Sequence, residues 1–217
     1  MRVVYRDFNP AVFSFHKDPV LVLEEVWTDQ ELAQFQQAMQ QATWKALAEM
    51  PAVAKAFPQC GNWLKADIAQ QEADLLLKKI ALPCIAEYIE SFPGIISRHL
   101  NFNYYSYGAG DCLSTHDDTD EAYAREQGKR PPRRRLALVT YLHSRWEPDW
   151  GGELIIYETK KDATGTVTLE ITHCIAPQPG SVAIFTVPRF HRVCRVDALA
   201  GSHRRLSIAG WFMTEHA

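Results

Sequence analysis

Read for its hydrophobic and polar positions, the chain changes character at Pro93-Gly94, from helical spacing to strand alternation. Leu32, Phe35, Met39 and Ala42 recur at three- and four-residue intervals, which predicts an amphipathic helix over 29–43 with a Gln-rich outer face. Thr28-Asp29-Gln30-Glu31 ahead of it fits a capping box, in which a hydroxyl and a carboxylate satisfy amides the first turn leaves open. Pro51 suits the first turn of a second, short helix that Cys60-Gly61-Asn62 breaks. Helical spacing returns from Gln70 to Phe92 through Leu75, Leu76, Ile80, Ile85, Tyr88 and Ile89. Pro83 lacks an amide hydrogen and should kink that helix or divide it. Ahead of all three, residues 19–26 read as a short strand.

Beyond Gly94 the runs at 99–107, 135–143, 152–158, 166–175, 181–186, 190–197 and 204–213 are rich in β-branched and aromatic residues, several separated by Gly and Pro. Many strands with tight turns predict a sandwich or open barrel, with the earlier helices covering one sheet. The fold class is therefore α+β, mainly β. No repeat or long linker interrupts the chain, so 1–217 reads as one domain, with mostly helical support in 1–98 and the β unit in 99–217.

Composition narrows the function. A chain of 217 residues with 47% hydrophobic positions can bury a proper core, and a net charge of −3 gives no reason to expect nucleic acid or an acidic membrane as partner. Cys60, Cys84, Cys112, Cys174 and Cys194 are scattered, with no CxxC spacing, which argues for reduced thiols rather than a disulfide framework or a zinc site. The N-terminus MRVVYRDFNP carries no long apolar core, so a cytoplasmic, membrane-free protein is expected.

The stretch NFNYYSYGAGDCLSTHDD (101–118) carries the candidate chemistry. His116 and Asp118 are two residues apart and, at a strand or strand end, point to one face, so an imidazole and a carboxylate can approach one ion. His191, in PRFHRV, is the candidate third ligand. Two His and one carboxylate leave coordination positions open, the arrangement of non-haem Fe(II) oxygenases. A His-x-Asp triplet is short enough to arise by chance, and His16-Lys17-Asp18 is a second one. Context separates them: the first follows a β-branched and aromatic run and a Gly turn, and the second sits before Pro19 in a connector.

Together with Tyr107-Gly108, LALVTYLHSRWEPDWGGEL (136–154), APQPGSVAIF (176–185), FHRV (190–193) and RRLSIAGWF (204–212), the triplet gives the segment from Tyr104 to Met213 its family likeness. It resembles the catalytic domain of the Fe(II)- and 2-oxoglutarate-dependent oxygenases, in the prolyl-4-hydroxylase-like branch. The resemblance implies a double-stranded β-helix (jelly-roll) core, iron held by His116, Asp118 and His191, and 2-oxoglutarate as co-substrate. It also implies O2 as oxidant, oxidative decarboxylation to succinate and CO2, and hydroxylation of an unactivated C–H, with ascorbate as an accessory reductant. Tyr141 matches the position at which relatives place a phenol on the far carboxylate of the co-substrate, and Tyr107 a second aromatic near the co-substrate or substrate. That carboxylate needs a cation, and the Arg fork suits it. Period two puts Arg205, Ser207, Ala209 and Trp211 on one face of the last strand and Arg204, Leu206, Ile208 and Phe212 on the other. The small and polar set belongs to the cavity, which selects Arg205, as does the family motif, and sends Arg204 to solvent or a surface carboxylate.

The remaining groups have plainer readings. His143 shares the face of Tyr141 and lines the cavity or hydrogen-bonds within the strand; His173 and His203 sit in or beside loops; His99 and His216 are solvated or satisfied. Asp117 and Asp120 are solvated or support the ligands. The basic run KRPPRRR (129–135) is a solvated loop or a lid over the site, and Trp146 and Trp150 belong to the rim or cap the sheet. Three functions fit: hydroxylation of a prolyl or other side chain in a protein or peptide, the same reaction on a free amino acid or small metabolite, or a jelly-roll that binds a ligand without turnover. Arg205 favours the first two, since a pure metal binder needs no keto-acid anchor.

Overall fold

A computed structural model describes residues 1–4, 20–119 and 133–214, with backbone only at 97–100. His16, Asp18, Asp120, His216, the 129–132 part of the basic run and the His99 side chain lie outside the described residues. In chain order the elements are β1 (Arg2–Val3), β2 (Val20–Glu24), α1 (Asp29–Gln41), β3 (Lys45–Ala46), α2 (Pro51–Ala56), β4 (Leu64–Asp67), α3 (Gln70–Ile80) and α4 (Pro83–Glu90). They continue as β5 (Ile95–Tyr107), β6 (Leu113–His116), β7 (Arg133–Tyr141), β8 (Leu154–Lys161), β9 (Val167–Ile175), β10 (Val182–Thr186), β11 (His191–Val193) and β12 (Arg205–Thr214).

Helix boundaries follow local chemistry. At the start of α1 the Thr28 hydroxyl accepts from the Glu31 amide at 3.3 Å, and the Glu31 carboxylate accepts from the Thr28 amide at 2.9 Å, the reciprocal capping expected. Pro83 divides 70–92 in two: α3 ends at Ile80, and Pro83 opens α4, where a missing amide hydrogen costs nothing. The short helix α2 stops at Ala56, ahead of the Gly61 breaker.

The strands form two antiparallel sheets, a larger one ordered β1-β2-β10-β7-β12-β5-β4-β3 and a smaller one ordered β6-β11-β8-β9. They face each other as a jelly-roll. The larger sheet is buried on both faces, and its alternation sorts each strand between two cores. Leu21, Leu23, Leu136, Leu138, Ile184, Ile208 and Phe212 meet Phe35, Met39, Leu76, Ile85 and Tyr88 of the helices. Val22, Val139, Tyr141, Ala183 and Phe185 point the other way, onto Leu154, Ile156 and Ile175 of the smaller sheet. The helices thus cover one face of the sheet, and the other face is left to carry the site.

Three expectations need correction. The predicted 190–197 strand is cut to His191–Val193, because the chain leaves the sheet there and only Val196 bridges onward, to Gly151. His173 lies within β9, not in or beside a loop. Arg133–Arg135 of the basic run open β7 rather than belonging to a loop. Residues 45–46 and 64–67, which no expectation covered, extend the larger sheet as β3 and β4; neither run is long enough to show alternation in the sequence. The five cysteines are free. No helix among the described residues is long and apolar enough to cross a membrane.

Candidate metal and keto-acid site

Register assembles the site. In the β6–β11 pairing His116 stands directly across from His191, which brings their rings to 4.2 Å between centroids. Asp118 follows the end of β6 with φ of 64°, a left-handed conformation that Asp tolerates better than most residues. That turn folds its carboxylate back between the imidazoles: Oδ1 lies 3.3 Å from His116 Nε2 and Oδ2 3.4 Å from His191 Nε2. The three ligand atoms fall within 4.8 Å of one another.

Each imidazole is oriented from its own strand. His116 Nδ1 donates to the Ser114 carbonyl and His191 Nδ1 to the Arg189 carbonyl, both at 2.8 Å. Both Nε2 atoms therefore present lone pairs to the site. Burial pushes the His191 pKa down to about 4, so its ring is neutral and able to ligate. Burial alone would raise the Asp118 carboxyl. The adjoining His116 and His191 rings and a 2.7 Å bond from Trp211 Nε1 outweigh it and hold the group well below the usual carboxylate range. Two imidazole nitrogens and a carboxylate thus converge within reach of one ion, and the donor set fits the metal of a two-His, one-carboxylate site.

Arg205 is the other unusual group. It is only 1% exposed, with Nε donating to the Gly152 carbonyl at 2.8 Å and Nη2 to the Tyr141 hydroxyl at 3.3 Å. Gly152, at φ of 74°, leaves room for it, since a Cβ there would meet Arg205 Cδ at 3.0 Å. The Tyr141 and Tyr107 rings lie 4.8 and 5.4 Å from its guanidinium carbon. No carboxylate lies within ion-pair distance among the described residues. A buried cation without a counter-charge is costly, and an anionic ligand in the adjoining cavity would supply one. That cavity, about 450 Å³, is lined by the triad, Tyr107, Arg205, Ser207, Ala209 and Trp211.

The period-two reading of β12 therefore agrees with the coordinates. Arg204 lies on the opposite face, donating to the Ser106 hydroxyl at 2.6 Å with the Asp111 carboxylate 3.7 Å away. Of the two readings of His143, hydrogen bonding holds and cavity lining does not. The strand ends at Tyr141, and His143 turns into the protein, with Nε2 donating to the Pro177 carbonyl at 2.7 Å. Asp117 accepts from the amide and hydroxyl of Thr119 and so fixes the turn after Asp118. Trp146 packs behind Gly152, and Trp150 stacks on His203.

Sequence reasoning missed the contacts of four residues. Period two puts Trp211 on the cavity face but says nothing of its bond to Asp118. Phe57 and Phe185 pack edge-on against His116 and His191, with centroids 5.1 and 4.8 Å away. Asp111 pins the turn before β6 by accepting from the amides of Asn62 and Gly108. Nothing in the sequence next to any of these residues signals so distant a partner.

Jelly-roll, converging acceptor triad and buried guanidinium together define an Fe(II)- and keto-acid-dependent oxygenase scaffold. A family model described as the 2OG-Fe(II) oxygenase superfamily matches residues 100–213. The chain belongs to that superfamily, which uses Fe(II), 2-oxoglutarate and O2. Prolyl 3-hydroxylase OGFOD1 of Mus musculus is 28% identical over 139 residues, 63% of this chain and 23% of that protein. The chain therefore spans about a quarter of that relative's length. A Pseudomonas putida prolyl-4-hydroxylase superposes with a TM-score of 0.63 at 16% identity, covering 93% of this chain and 96% of that one. The viral collagen prolyl hydroxylase of Paramecium Bursaria Chlorella virus-1 gives 0.58 at 17%, covering 92% and 98%. A Trichoplax adhaerens prolyl hydroxylase, in complex with a hypoxia inducible factor oxygen degradation domain peptide fragment, gives 0.55 at 15%, covering 92% and 86%. At these identities the solved structures show a shared fold.

Proposed function

We propose that the protein hydroxylates a prolyl or other side chain in a protein or peptide, consuming 2-oxoglutarate and releasing succinate and CO2. One observation carries the reading: a metal-competent acceptor triad and a buried, carboxylate-free guanidinium line the same cavity. In this reading His116, Asp118 and His191 hold the iron, and Arg205 with Tyr141 holds the far carboxylate of the keto acid. Iron and keto acid, when bound, supply the O2-activating chemistry. The chain's own contribution is placement and exclusion. Asp118 is aimed by Trp211, and each imidazole is fixed by its carbonyl partner in the tautomer that turns Nε2 to the site. Tyr107 covers one side of the Arg205 guanidinium and keeps water from it, which strengthens its hold on a carboxylate. The peptide choice draws on the relatives, one a prolyl 3-hydroxylase and another seen with a peptide fragment.

The experiment is succinate release from 2-oxoglutarate with Fe(II), ascorbate and a pool of prolyl peptides, read together with mass spectra of the peptides. The expected result is succinate in step with a gain of one oxygen on a prolyl peptide. Succinate stimulated only by free amino acids would move the substrate to a metabolite. No turnover and no 2-oxoglutarate binding by folded, iron-loaded protein would make the chain a binding module.

A further inference from the structure

Beyond the triad and Arg205, one cavity wall carries a lysine that makes no ion pair among the described residues. Lys65, on β4, is half-buried and lines the cavity beside Tyr105, its antiparallel neighbour on β5. Among the described residues it makes no ion pair and no side-chain hydrogen bond. Lys45 stands directly across from it on β3. Arg134, stacked 3.7 Å over the Trp211 ring, lines the same cavity. Burial lowers the Lys65 pKa; exposed Asp67 opposes the shift without reaching ion-pair distance, and Arg134 and Lys45 add to it. Like charges directly opposite on paired strands are destabilising, and an anion beside Lys65 would offset that repulsion. The cavity's own carboxylates are committed, Asp118 to the imidazoles and Trp211, Asp117 to Thr119. Met50, Val53 and Phe57, in and beside α2, give the same cavity an apolar part of its lining.

We infer that Lys65 anchors a carboxylate of the primary substrate, so that the oxidised residue carries an acidic group close by and an apolar one facing α2. The inference rests on the oxygenase reading above and deepens it. Two sources share this chemistry: an Asp or Glu side chain flanking the target in a peptide, and the α-carboxylate of a free amino acid. The anchor and the keto-acid site are separate, because Arg205 already serves the co-substrate.

The test is competition binding with Mn(II) in the metal site and saturating 2-oxoglutarate. One probe set is labelled Ala-based peptides with a central Pro and a single Glu at successive flanking positions, paired with Gln counterparts. The other is N-acetyl-proline paired with N-acetyl-prolinamide. One pair set is expected to show about a ten-fold preference for the charged member, as one charge-assisted hydrogen bond gives. Lys65→Met should abolish that preference and Lys65→Arg should keep it. Preference in the peptide set marks a peptide source, and preference in the acetyl-proline set marks a free amino acid. A preference that survives Lys65→Met, or wild-type protein that shows none with either set, overturns the anchor. Binding of 2-oxoglutarate to wild-type protein is measured separately, so that failure of the oxygenase reading is told apart from failure of the anchor.

Discussion

Replacing Arg205 by Met separates what the guanidinium does for the ligand from what it does for the fold. A carboxylate held by its fork gains two charge-assisted hydrogen bonds of about 1.5–3 kcal/mol each. Their loss should weaken 2-oxoglutarate binding by roughly a hundred-fold or more. The fold should feel much less. The substitution leaves the Gly152 carbonyl and the Tyr141 hydroxyl without their partner, at about 1–3 kcal/mol each. It also removes a buried charge with no carboxylate partner, whose desolvation costs several kcal/mol. These terms roughly cancel, so the unliganded variant should melt close to wild type. Thermal unfolding with Mn(II), which accepts the same N and O donors, reads both effects. At about a hundred times the dissociation constant a ligand adds about 2.7 kcal/mol, or roughly 5–10 °C for a chain of this size. Wild type and Arg204→Met should both show that shift, since Arg204 faces away from the cavity. Arg205→Met at the same concentration should move by only about 1 °C. A full shift in Arg205→Met, or its loss in Arg204→Met, would refute the anchor.

Other expectations follow from single contacts. His116→Ala and His191→Ala should each lose metal binding by calorimetric titration and iron-dependent turnover, with far-ultraviolet dichroism unchanged; normal turnover in either would reject its role. Trp211→Phe removes the N–H donated to Asp118 and should weaken Mn(II) binding by about 10–100-fold; unaltered affinity would show that Asp118 needs no such support. His143 is buried, and that burial holds its pKa down at about 4 in the folded chain against 6.5 for the free side chain. Between those values the unfolded state binds the proton and the folded state does not, so stability present above pH 6.5 is lost as pH falls toward 4. The loss from this group is up to about 3 kcal/mol. Denaturant unfolding across that range should show a smaller fall in His143→Asn; an equal fall would assign the effect elsewhere.

Much of this architecture is legible in the sequence, because its causes are local. The box at Thr28–Glu31 and the proline at 83 set helix ends through groups within one turn, and alternation in β12 separates Arg205 from Arg204 before any coordinates exist. The His-x-Asp spacing likewise needs only a strand end and one left-handed residue. What sequence hides depends on partners far along the chain. The approach of His116 to His191 is a matter of register between strands 75 residues apart. The Trp211 bond to Asp118 spans 93 residues and Phe57 on His116 spans 59, and neither alters any local pattern. The two-residue and four-residue strands β3 and β4 are too short for periodicity, so the lysine they place in the cavity wall could be found only once the sheet was assembled. Period two puts His143 beside Tyr141 on the cavity face, but it holds only while the strand lasts, and this one ends at Tyr141, which leaves the hydrogen-bonding reading.

The most direct measurement is iron-edge anomalous diffraction from crystals loaded without oxygen with Fe(II) and 2-oxoglutarate. One iron peak within bonding distance of His116 Nε2, Asp118 and His191 Nε2, with a keto-acid carboxylate on the Arg205 guanidinium, is the predicted result. Iron elsewhere, or a keto acid bound away from Arg205, would contradict it.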